Sequence, residues 1–345
     1  MKVTVGIKAL NEERCIAASI ASAIEAVKPF GGEVILADSG STDRTVDVAR
    51  AFPIRILQLA DPSQRCCGVG AQLAFQQAEG EYFYILDGDM VLDPQFIVRG
   101  AAYLEAHPDL AAVGGRVVEM NVQGEEYRVR QQTGRSGRNW RPGAVDQLDC
   151  GGLYRVAAIR ELGYFADRNL HAFEEFELAA RLAAKGWKLA RIDAPAALHY
   201  GHTIGGYRLL ARRLRSGYAT ATGEVLRSAI GRPQFAFVIR KLGHIRHGAV
   251  VVVWWAALLA LVASAPAWAL AALVAPLVAL AARRRSLALG LYSCAAWNVS
   301  AYGMILGLLR RRVPADQPIA ARVLAAGGRA ADERRTVSVG LGADP

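Results

Sequence analysis

The stretch Tyr82-Phe83-Tyr84-Ile85-Leu86-Asp87-Gly88-Asp89-Met90 decides the fold class of this chain. Its aromatic and aliphatic residues indicate a buried strand, and two carboxylates separated by a glycine follow at the carboxyl end. In an open α/β sheet, ligands bind at that end of the strands. Carboxylate oxygens on a tight turn suit Mg²⁺ or Mn²⁺ bridging phosphates. Because Asp and Gly are also common in ordinary turns, the motif needs support from the rest of the chain.

Strands and helices alternate around this stretch. Short apolar runs predict strands at residues 3–7, 33–38 and 54–59. Segments with helical periodicity lie between them, and they predict helices at residues 11–27, 42–52 and 68–78. This alternation is typical of an α/β protein with a mostly parallel sheet and helices on both faces.

The net charge of +10 is concentrated in one segment. Between residues 204 and 247 the one acid is Glu224, and the basic residues are Arg208, Arg212, Arg213, Arg215, Arg227, Arg232, Arg240, Lys241 and Arg246. A basic stretch before apolar spans follows the positive-inside rule and attracts anionic lipids. We predict basic interfacial helices at 204–247. A nucleic-acid partner is disfavoured, because no nucleic-acid motif accompanies the charge.

Residues 248–282 contain no charged side chain and predict membrane-spanning structure. A single helix of this length would measure about 50 Å, longer than the hydrocarbon core of a membrane, which is about 30 Å thick. Pro266 lies near the middle, so a hairpin of two short spans is expected. Residues 286–309 form a further apolar stretch of ordinary span length.

Arginine clusters at 283–285 and 310–312 flank that last stretch on both sides. Three spans would place the first cluster in the cytosol, whereas two spans would place the second there. Both alternatives are open, and we favour three. The transmembrane region is assigned to 248–312, and residues 313–345 are predicted to be a flexible tail, cytosolic or periplasmic.

The cysteines and the N-terminus indicate a cytosolic first domain. The five cysteines have no zinc-type spacing and are expected to be reduced thiols. The chain starts directly with a predicted strand and shows no signal-peptide pattern. We therefore expect the protein in the cell (inner) membrane with its first domain in the cytosol.

Dinucleotide-dependent oxidoreductases are excluded by the turn after the first strand. Residues 8–12 contain no glycine, and Gly68-Val69-Gly70 lacks the third glycine of the fingerprint. A second glycine-rich segment, residues 131–143, is polar and contains Trp140. It is interpreted as a long mobile loop over the site, or alternatively as a disordered insertion.

Four motifs follow one another along residues 1–203. The motifs are Ala9-Leu10-Asn11-Glu12-Glu13, Ala37-Asp38-Ser39-Gly40-Ser41-Thr42-Asp43, Asp87-Gly88-Asp89, and the run from Glu174-Glu175-Phe176-Glu177 to Arg181-Leu182. A pair of histidines, His199 and His202, follows the last of the four. In this order the motifs resemble those of family 2 glycosyltransferases, which have the GT-A fold. The resemblance implies a nucleotide-sugar donor and a GT-A domain at 1–203.

The first two motifs are expected to bind the donor nucleoside. The resemblance assigns nucleoside contacts to Ala9, Glu12, Asp38 and Arg65, and Asn11 and Ser39 belong to the same two motifs. A carboxylate at Asp38 can accept from a base N–H or a ribose hydroxyl. A guanidinium at Arg65 can stack on the base or pair with a phosphate. Helix capping is the alternative role for Asp38 and Ser39.

The resemblance also assigns the metal, Mn²⁺ or Mg²⁺. In the family the second carboxylate, here Asp89, contacts the metal that bridges the diphosphate. The first, Asp87, holds ribose or a metal-bound water, and Gly88 forms the turn between them. In related enzymes a later histidine completes the metal shell, with His199 the first choice here and His202 the second.

The fourth motif is expected to supply the general base. Glu175 occupies the position where the family usually has aspartate, and Glu174 is the alternative. Acids in a first helical turn also simply complement the helix dipole. The turn at Gly151 and Gly152 precedes this helix and resembles the family's small-residue turn near the donor sugar.

The sequence therefore predicts an inverting, metal-dependent glycosyltransferase that uses a nucleotide-sugar donor, preferably a UDP-sugar. The expected acceptor is lipid-linked or a glycan, membrane lipids are expected partners, and nucleic acid is not. A polyprenyl-phosphate glycosyltransferase is one alternative, and a non-catalytic membrane-anchored binding protein is another. A processive synthase is disfavoured because its Gln-x-x-Arg-Trp signature is absent after the catalytic helix.

Overall fold

The computed structural model describes residues 1–120, 138–149, 151–201, 205–327 and 336–337. Four buried strands form the centre of the sheet, namely β1 (Val3–Ala9), β2 (Glu33–Asp38), β3 (Arg55–Leu59) and β4 (Tyr82–Asp87). They run parallel in the order β3-β2-β1-β4. Continuous apolar runs suit strands that are covered on both faces. The predicted strands are confirmed.

Two of the three connecting helices begin later than predicted, because the loops before them form non-helical turns. The helices are α1 (Ile16–Val27), α2 (Thr45–Ala49) and α3 (Cys67–Phe75), and α3 begins one residue before its predicted start. Before α1, Asn11 adopts a left-handed φ of 60°. Before α2, Asp43 Oδ1 accepts from the Thr45 N–H at 3.0 Å. The loops after β1 and β2 are therefore longer than the periodicity indicated.

The second half of the sheet is mixed. Its strands are β5 (Met90–Leu92), β6 (Leu110–Glu119), β7 (Gly143–Val145), β8 (Gly152–Arg155) and β9 (Lys188–His199). The order continues β4-β8-β6-β9-β5, with β8 antiparallel to both neighbours and β6 parallel to β9. The prediction of a mostly parallel sheet is wrong for this half, because β8 enters between β4 and β6 in the reverse direction.

The strand register brings the polar motif residues to one edge. Lys8 pairs with Asp87 across β1 and β4, and Ala9 pairs with Asp38 across β1 and β2. The helices α4 (Pro94–Ala106), α5 (Val156–Arg160) and α6 (Glu174–Ala184) complete this half of the molecule. Because parallel strands end at the same edge, the motifs converge there.

The described part of the predicted loop at 131–143 packs against β9. The guanidinium of Arg191 lies 4.8 Å from the ring centre of Trp140, and its Nε donates to the Asn139 carbonyl at 2.8 Å. Residues 131–137 lie outside the described residues, so the loop over the site stays a prediction for them.

Four cysteines in the described chain are free thiols, as predicted, namely Cys15, Cys66, Cys67 and Cys294. Burial raises the pKa of the Cys66 thiol to about 12 and that of Cys67 further. These two thiols are therefore protonated and poor nucleophiles. Cys150 lies outside the described residues.

In the described residues after β9, six α-helices follow one another. They are α7 (Gly206–Arg215), α8 (Ala221–Ala229), α9 (Phe235–Lys241), α10 (Gly243–Ser264), α11 (Pro266–Arg284) and α12 (Leu287–Leu309). In the described chain α10 and α11 are long and apolar enough to cross a membrane. The break between them falls at Ala265, directly before Pro266, as the predicted hairpin requires.

The chain then returns to the sheet. The strand β10 (Ala321–Ala325) pairs antiparallel with β3, and β11 (Thr336–Val337) pairs with β10. Just before β10, Gln76 exchanges two hydrogen bonds with the Ile319 backbone, at 2.7 and 3.2 Å. The prediction of a flexible tail from residue 313 is wrong for this part, because β3 offers an open edge that the returning strand covers.

The end of α12 is also held by the sheet domain. Arg312 forms an ion pair with Asp167, which is fully buried. Arg310 Nη1 lies 3.4 Å from Glu224 Oε1 in α8. Three complete crossings would place these arginines across the membrane from Asp167. These contacts disfavour three complete crossings, and the number of spans stays a prediction.

Candidate active site

A half-buried lysine, Lys8, lies at the centre of the polar edge. Lys8 Nζ is 3.0 Å from Asp87 Oδ1 and donates to Glu174 Oε1 at 2.5 Å. Burial alone would lower the pKa of Lys8, but the two carboxylates raise it well above its usual value. Lys8 is therefore charged, and it joins the end of β4 to the start of α6.

The turn between β4 and β5 depends on Gly88. Its N–H donates to the Lys8 carbonyl at 3.0 Å. A Cβ at this position would lie 3.0 Å from Glu12 Cγ and 3.1 Å from Ala9 Cβ. Glycine thus lets the loop after β1 pack directly against the Asp-Gly-Asp turn.

Two carboxylates flank His199. The pairing of β5 with β9 sets Met90 opposite His199, which brings the ring beside Asp89. Asp89 Oδ2 lies 3.4 Å from Nε2, and Glu119 Oε1 lies 2.9 Å from Nδ1. Burial would lower the pKa of His199, but Asp89 and Glu119 raise it to about 10. In this arrangement the imidazolium neutralises both acids.

Asp89 and His199 fit a shared divalent metal. Their side chains approach within 3.4 Å, and carboxylate and imidazole are both ligand types that Mn²⁺ accepts. The described part of the chain contains no cluster of three or more His, Cys, Asp or Glu side chains arranged for a metal. A metal here would take further ligands from a bound diphosphate, and its binding would displace a proton from His199. His202 lies outside the described residues.

The first two motifs are tied together by hydrogen bonds. The Asn11 N–H donates to Ser41 Oγ at 2.8 Å, and Asn11 Oδ1 accepts from the Thr42 N–H at 2.8 Å. Asn11 is exposed and left-handed, which an asparagine tolerates better than most residues. Its observed contacts shape the loop of the second motif.

Glu12 is half-buried beside the Asp-Gly-Asp turn. Burial raises its pKa to about 7, Asp89 and Asp87 add to the rise, and Arg212 of α7 opposes it. The Glu12 N–H donates to Thr45 Oγ1 at 2.8 Å. A carboxyl of this kind can bind a ligand as acceptor or as donor near neutral pH.

Asp38 has a strong structural role. It is fully buried, and it accepts from the Gly40 N–H, the Ser41 N–H and Gln58 Nε2, each at 3.0 Å. It therefore holds the loop after β2 and does not cap α2, which starts at Thr45. Contact with a nucleoside stays a prediction for Asp38.

The remaining predicted nucleoside contacts surround this loop. Ser39 is buried, and its N–H donates to the Ala9 carbonyl at 2.9 Å. Arg65 is exposed and follows the short 3₁₀ turn Pro62–Gln64. A Cβ on Gly40 would lie 3.1 Å from Pro62 Cβ, so the two loops are neighbours. Arg65 therefore follows a turn that lies beside the second motif, and its contact with the nucleoside stays a prediction.

The two glutamates that begin α6 differ in their surroundings. Glu174 is buried and bonded to Lys8, whereas Glu175 is half-buried and its Oε1 accepts from the Gly151 N–H at 3.1 Å. Burial raises the pKa of Glu175 to about 8, and Glu174 and Asp149 add to the rise while Lys8 opposes it. Glu175 is therefore poised to exchange a proton near neutral pH.

Gly151 is required by geometry. Its φ is 95°, and a Cβ would lie 2.9 Å from the Ile85 carbonyl oxygen. The neighbouring Gly152 is equally tight, with a Cβ 2.7 Å from Leu148 Cδ1. The predicted small-residue turn is therefore present, and it lies against both β4 and Glu175.

Lys8 and Glu119 were missed by the sequence analysis, which named neither as a site residue. The signal for Lys8 was a single lysine near the end of an apolar strand, directly before the first motif. Glu119 carries no motif, and only the pairing of β6 with β9 brings it to His199.

The family described as "Glycosyl transferase family 2" matches residues 4–163. Residues 4–163 form a glycosyl transferase family 2 domain. The match contains the first three of the four motifs, together with Gly151 and Gly152.

Curated relatives agree with this assignment. A probable glucomannan 4-beta-mannosyltransferase from Oryza sativa subsp. japonica is 29% identical over 160 residues, covering 42% of this chain and 29% of the relative. The succinoglycan biosynthesis protein ExoA of Rhizobium meliloti (strain 1021) is 26% identical over 204 residues, covering 56% and 62%. The chain thus spans less than two thirds of either relative.

A solved structure shares the fold. The mannosyltransferase PcManGT from Pyrobaculum calidifontis, in complex with GDP-Man and Mn²⁺, superposes with a TM-score of 0.59 at 21% sequence identity. The match covers 87% of this chain and 86% of that one. The predicted GT-A fold of the family 2 domain is confirmed.

Proposed function

We propose that this protein is an inverting, metal-dependent glycosyltransferase that moves a sugar from a nucleotide donor to a lipid-linked or polysaccharide acceptor. The observation that carries the proposal is Glu175, a carboxyl with a pKa raised to about 8 at the edge that also holds Asp87 and Asp89. Proton-accepting groups near neutral pH are characteristic of catalytic sites. The glycosyl transferase family 2 domain supports the reaction class.

Glu175 is the proposed general base. It takes the proton of the acceptor hydroxyl while that oxygen bonds to the anomeric carbon and the bond to the nucleoside diphosphate breaks. Attack opposite the leaving group inverts the anomeric centre. Glu174 is the weaker candidate, because its Oε1 is bonded to Lys8 and its side chain is only 7% exposed.

Asp89 and His199 would hold the metal, Mn²⁺ or Mg²⁺. A divalent cation bound there supplies Lewis-acid neutralisation of the leaving diphosphate. Asp87 would orient the donor ribose or a metal-bound water, and Gly88 lets the turn approach the donor. The Gly151 and Gly152 turn would border the transferred sugar.

Ala9, Asn11, Glu12, Asp38, Ser39 and Arg65 form the proposed nucleoside side of the site. Asn11 and Asp38 act by shaping the two loops, as their hydrogen bonds indicate. The motifs favour a UDP-sugar, but the solved relative in this fold binds GDP-Man. Uracil and guanine donors both belong in the first assay.

A membrane location is supported by α10 and α11, which are apolar and long enough to span. On α7, three exposed arginines repeat at four and three residues and share one face, namely Arg208, Arg212 and Arg215. Arg212 is close enough to oppose the raised pKa of Glu12. We infer that this face meets anionic headgroups at the inner membrane, with the sheet domain in the cytosol.

A polyprenyl-phosphate glycosyltransferase is the second candidate, and the α7 arginines favour it because they suit a lipid phosphate. A phosphate oxygen is already nucleophilic, so that reaction needs no base. Glu175→Gln separates the two candidates. Loss of transfer to a hydroxyl acceptor supports the first, and undiminished transfer to polyprenyl phosphate supports the second.

The first test is a donor screen on the full-length protein in detergent with Mn²⁺, following nucleoside-diphosphate release from UDP- and GDP-sugars. We expect release with at least one donor, and a loss of about 10³-fold in Asp89→Ala. The matched control is Asp109→Ala, which breaks an exposed ion pair with Lys188 outside the site. Equal rates in wild type and Asp89→Ala would contradict the metal assignment, and no donor turnover or binding would support a non-catalytic protein.

A further inference from the structure

Lys8 joins two parts of the site that are far apart in the sequence, Asp87 and Glu174. Asp87 ends β4 on the donor side, whereas Glu174 begins α6, the helix that carries Glu175. We propose that Lys8 is a positioning residue that fixes the start of α6 against the Asp-Gly-Asp turn and thereby aims Glu175 at the donor sugar. The inference rests on the proposed function of Glu175.

The contacts of Lys8 are short and shielded from solvent. Nζ lies 3.0 Å from Asp87 Oδ1 and 2.5 Å from Glu174 Oε1, and the Lys8 side chain is 19% exposed. Charge pairs in such surroundings are weakly screened, and removing one partner leaves the other buried without compensation. A single ammonium therefore keeps the two carboxylates in a fixed relation.

The Lys8 contact acts at the very start of α6. The residue before the helix, Phe173, has a left-handed φ of 64° and offers no side-chain cap to it. Two described hydrogen bonds tie the first turn to the site, one from Lys8 to Glu174 and one from the Gly151 N–H to Glu175. Losing the first would remove one of the ties that orient the Glu175 carboxyl.

Lys8 also acts on Glu175 through its charge. Burial, Glu174, Asp149 and Asp87 all raise the pKa of Glu175, and Lys8 is the cation that opposes them. Without Lys8 the pKa of Glu175 would rise further, and the base would need a higher pH to work. A positioning role thus has a pH signature in addition to a rate effect.

The simpler interpretation is that Lys8 only neutralises buried acids for stability. Neutralisation alone predicts a less stable protein whose folded fraction keeps the wild-type kcat and pH profile. Positioning predicts that the folded protein has a lower kcat and that the acidic limb of its pH–rate profile lies at higher pH. A change in donor KM would report donor binding through Asp87, whereas a change in kcat would report the orientation of Glu175 through Glu174.

The test compares Lys8→Met, Lys8→Arg and the control Lys188→Met in the donor assay across pH. Lys188 also pairs with a carboxylate, Asp109 at 2.9 Å, but on the exposed surface. We expect kcat to fall about 10- to 100-fold in Lys8→Met, with its acidic limb at higher pH, and to recover in part in Lys8→Arg. Wild-type kcat and an unmoved limb, or a change confined to donor KM, would overturn the inference.

A second measurement does not need turnover. Lys8→Met leaves Glu174 uncompensated, so its melting temperature should drop by roughly 5–15 °C, and adding Glu174→Gln should restore part of the loss. If Lys8→Met and the double variant have the same melting temperature, the inferred pairing of Lys8 with Glu174 is wrong. If wild type turns over no donor while the melting shifts appear, the proposed function fails and the tie stands by itself.

Discussion

Two regions of this molecule bury charge, but they balance it differently. The catalytic cluster, named here for its proposed role, lies at the sheet edge. It has an excess of acids and comprises Lys8, Glu12, Asp87, Asp89, Glu174, Glu175 and His199. The joint cluster, between the sheet domain and the C-terminal helices, matches acids with bases and comprises Asp167, His171, Glu224, Arg310 and Arg312. In the first, burial raises the pKa of Glu175 to about 8. In the second, burial would raise the pKa of Glu224, but bonds and charge from His171 lower it.

The difference shows how to distinguish a reactive site from a structural joint. Glu175 and Glu224 are both shielded carboxyls, but their described partners differ: Glu175 Oε1 accepts from the Gly151 N–H, whereas Glu224 is paired with His171 and Arg310. A carboxyl whose pKa is raised by burial and by neighbouring acids, as that of Glu175 is, is ready to gain a proton near neutral pH. A carboxyl surrounded by donors is fixed in its charged form. The catalytic cluster is therefore poised to change state, and the joint cluster holds its neighbours still.

The largest expected effect is the loss of kcat when Glu175 is replaced. Glu175→Gln should lower kcat for a hydroxyl acceptor by about 10²- to 10⁴-fold, because the amide cannot take a proton. Wild-type kcat/KM should rise with pH and level off above about pH 8, because a base with a raised pKa is protonated, and inactive, below that value. The variant should lose this pH dependence. Steady-state rates across pH 5.5–9.5, roughly the range that spans the transition, would measure both effects.

The matched control is Glu161→Gln, since Glu161 accepts only a surface hydrogen bond from Trp187 Nε1 at 3.1 Å among its described contacts. Its rates and pH profile should equal those of wild type. If Glu175→Gln kept the wild-type pH limb, the titrating group would be another acid, and Glu12, with a pKa raised to about 7, would be the next to test.

The sequence predicted the fold of the first half well because its signals were local. The strands ending at Asp38 and Asp87 are continuous apolar runs closed by polar turns, and each lies where its pattern indicated. The mixed half failed because the direction of β8 depends on pairing with β4 and β6, which no local pattern encodes. The return of β10 to β3 was missed for the same reason.

For the site, motif order located Glu175, Asp89 and His199 but not the residues that act on them. Lys8 stands in a strand where any buried residue would satisfy the pattern, and its two partners are brought to it only by the fold. Asp38 shows that a residue assigned to the donor can also have a structural role. Its contact with the nucleoside stays a prediction, and the structure shows its carboxylate accepting hydrogen bonds from its own loop and from Gln58.

A substitution in the joint cluster should change stability and leave chemistry intact. Arg312→Met removes the ion-pair partner of the fully buried Asp167, at an expected cost of about 3–5 kcal/mol in unfolding free energy. Thermal unfolding in detergent would measure the loss. At a temperature where both proteins are folded, kcat should stay within about twofold of wild type, because no contact with the catalytic cluster is removed.

The control for this prediction is Arg116→Met, which breaks the exposed ion pair with Asp193 and should cost less than about 1 kcal/mol. Adding Asp167→Asn to Arg312→Met should recover part of the stability, because the uncompensated charge is then gone. A fall in kcat comparable to that of Glu175→Gln would show that the two clusters are coupled, and the distinction drawn between them would be wrong.

The smallest expected effect comes from two glycine substitutions. They distinguish the cost of backbone strain from the effect of moving the proposed base. Gly151→Ala and Gly163→Ala both place a side chain at a left-handed φ, 95° and 86°, so each should lose about 1–2 kcal/mol of stability. A Cβ at Gly163 meets nothing within 4 Å, whereas one at Gly151 would lie 2.9 Å from the Ile85 carbonyl oxygen. The turn at Gly151 must therefore shift in Gly151→Ala. Its N–H, which donates a hydrogen bond to Glu175 Oε1 at 3.1 Å, shifts with it.

We expect kcat to fall about 10-fold in Gly151→Ala and not in Gly163→Ala, because moving the proposed base lowers the rate whereas backbone strain alone does not. Equal kcat in the two variants would mean that Glu175 is located by Lys8 and α6 alone.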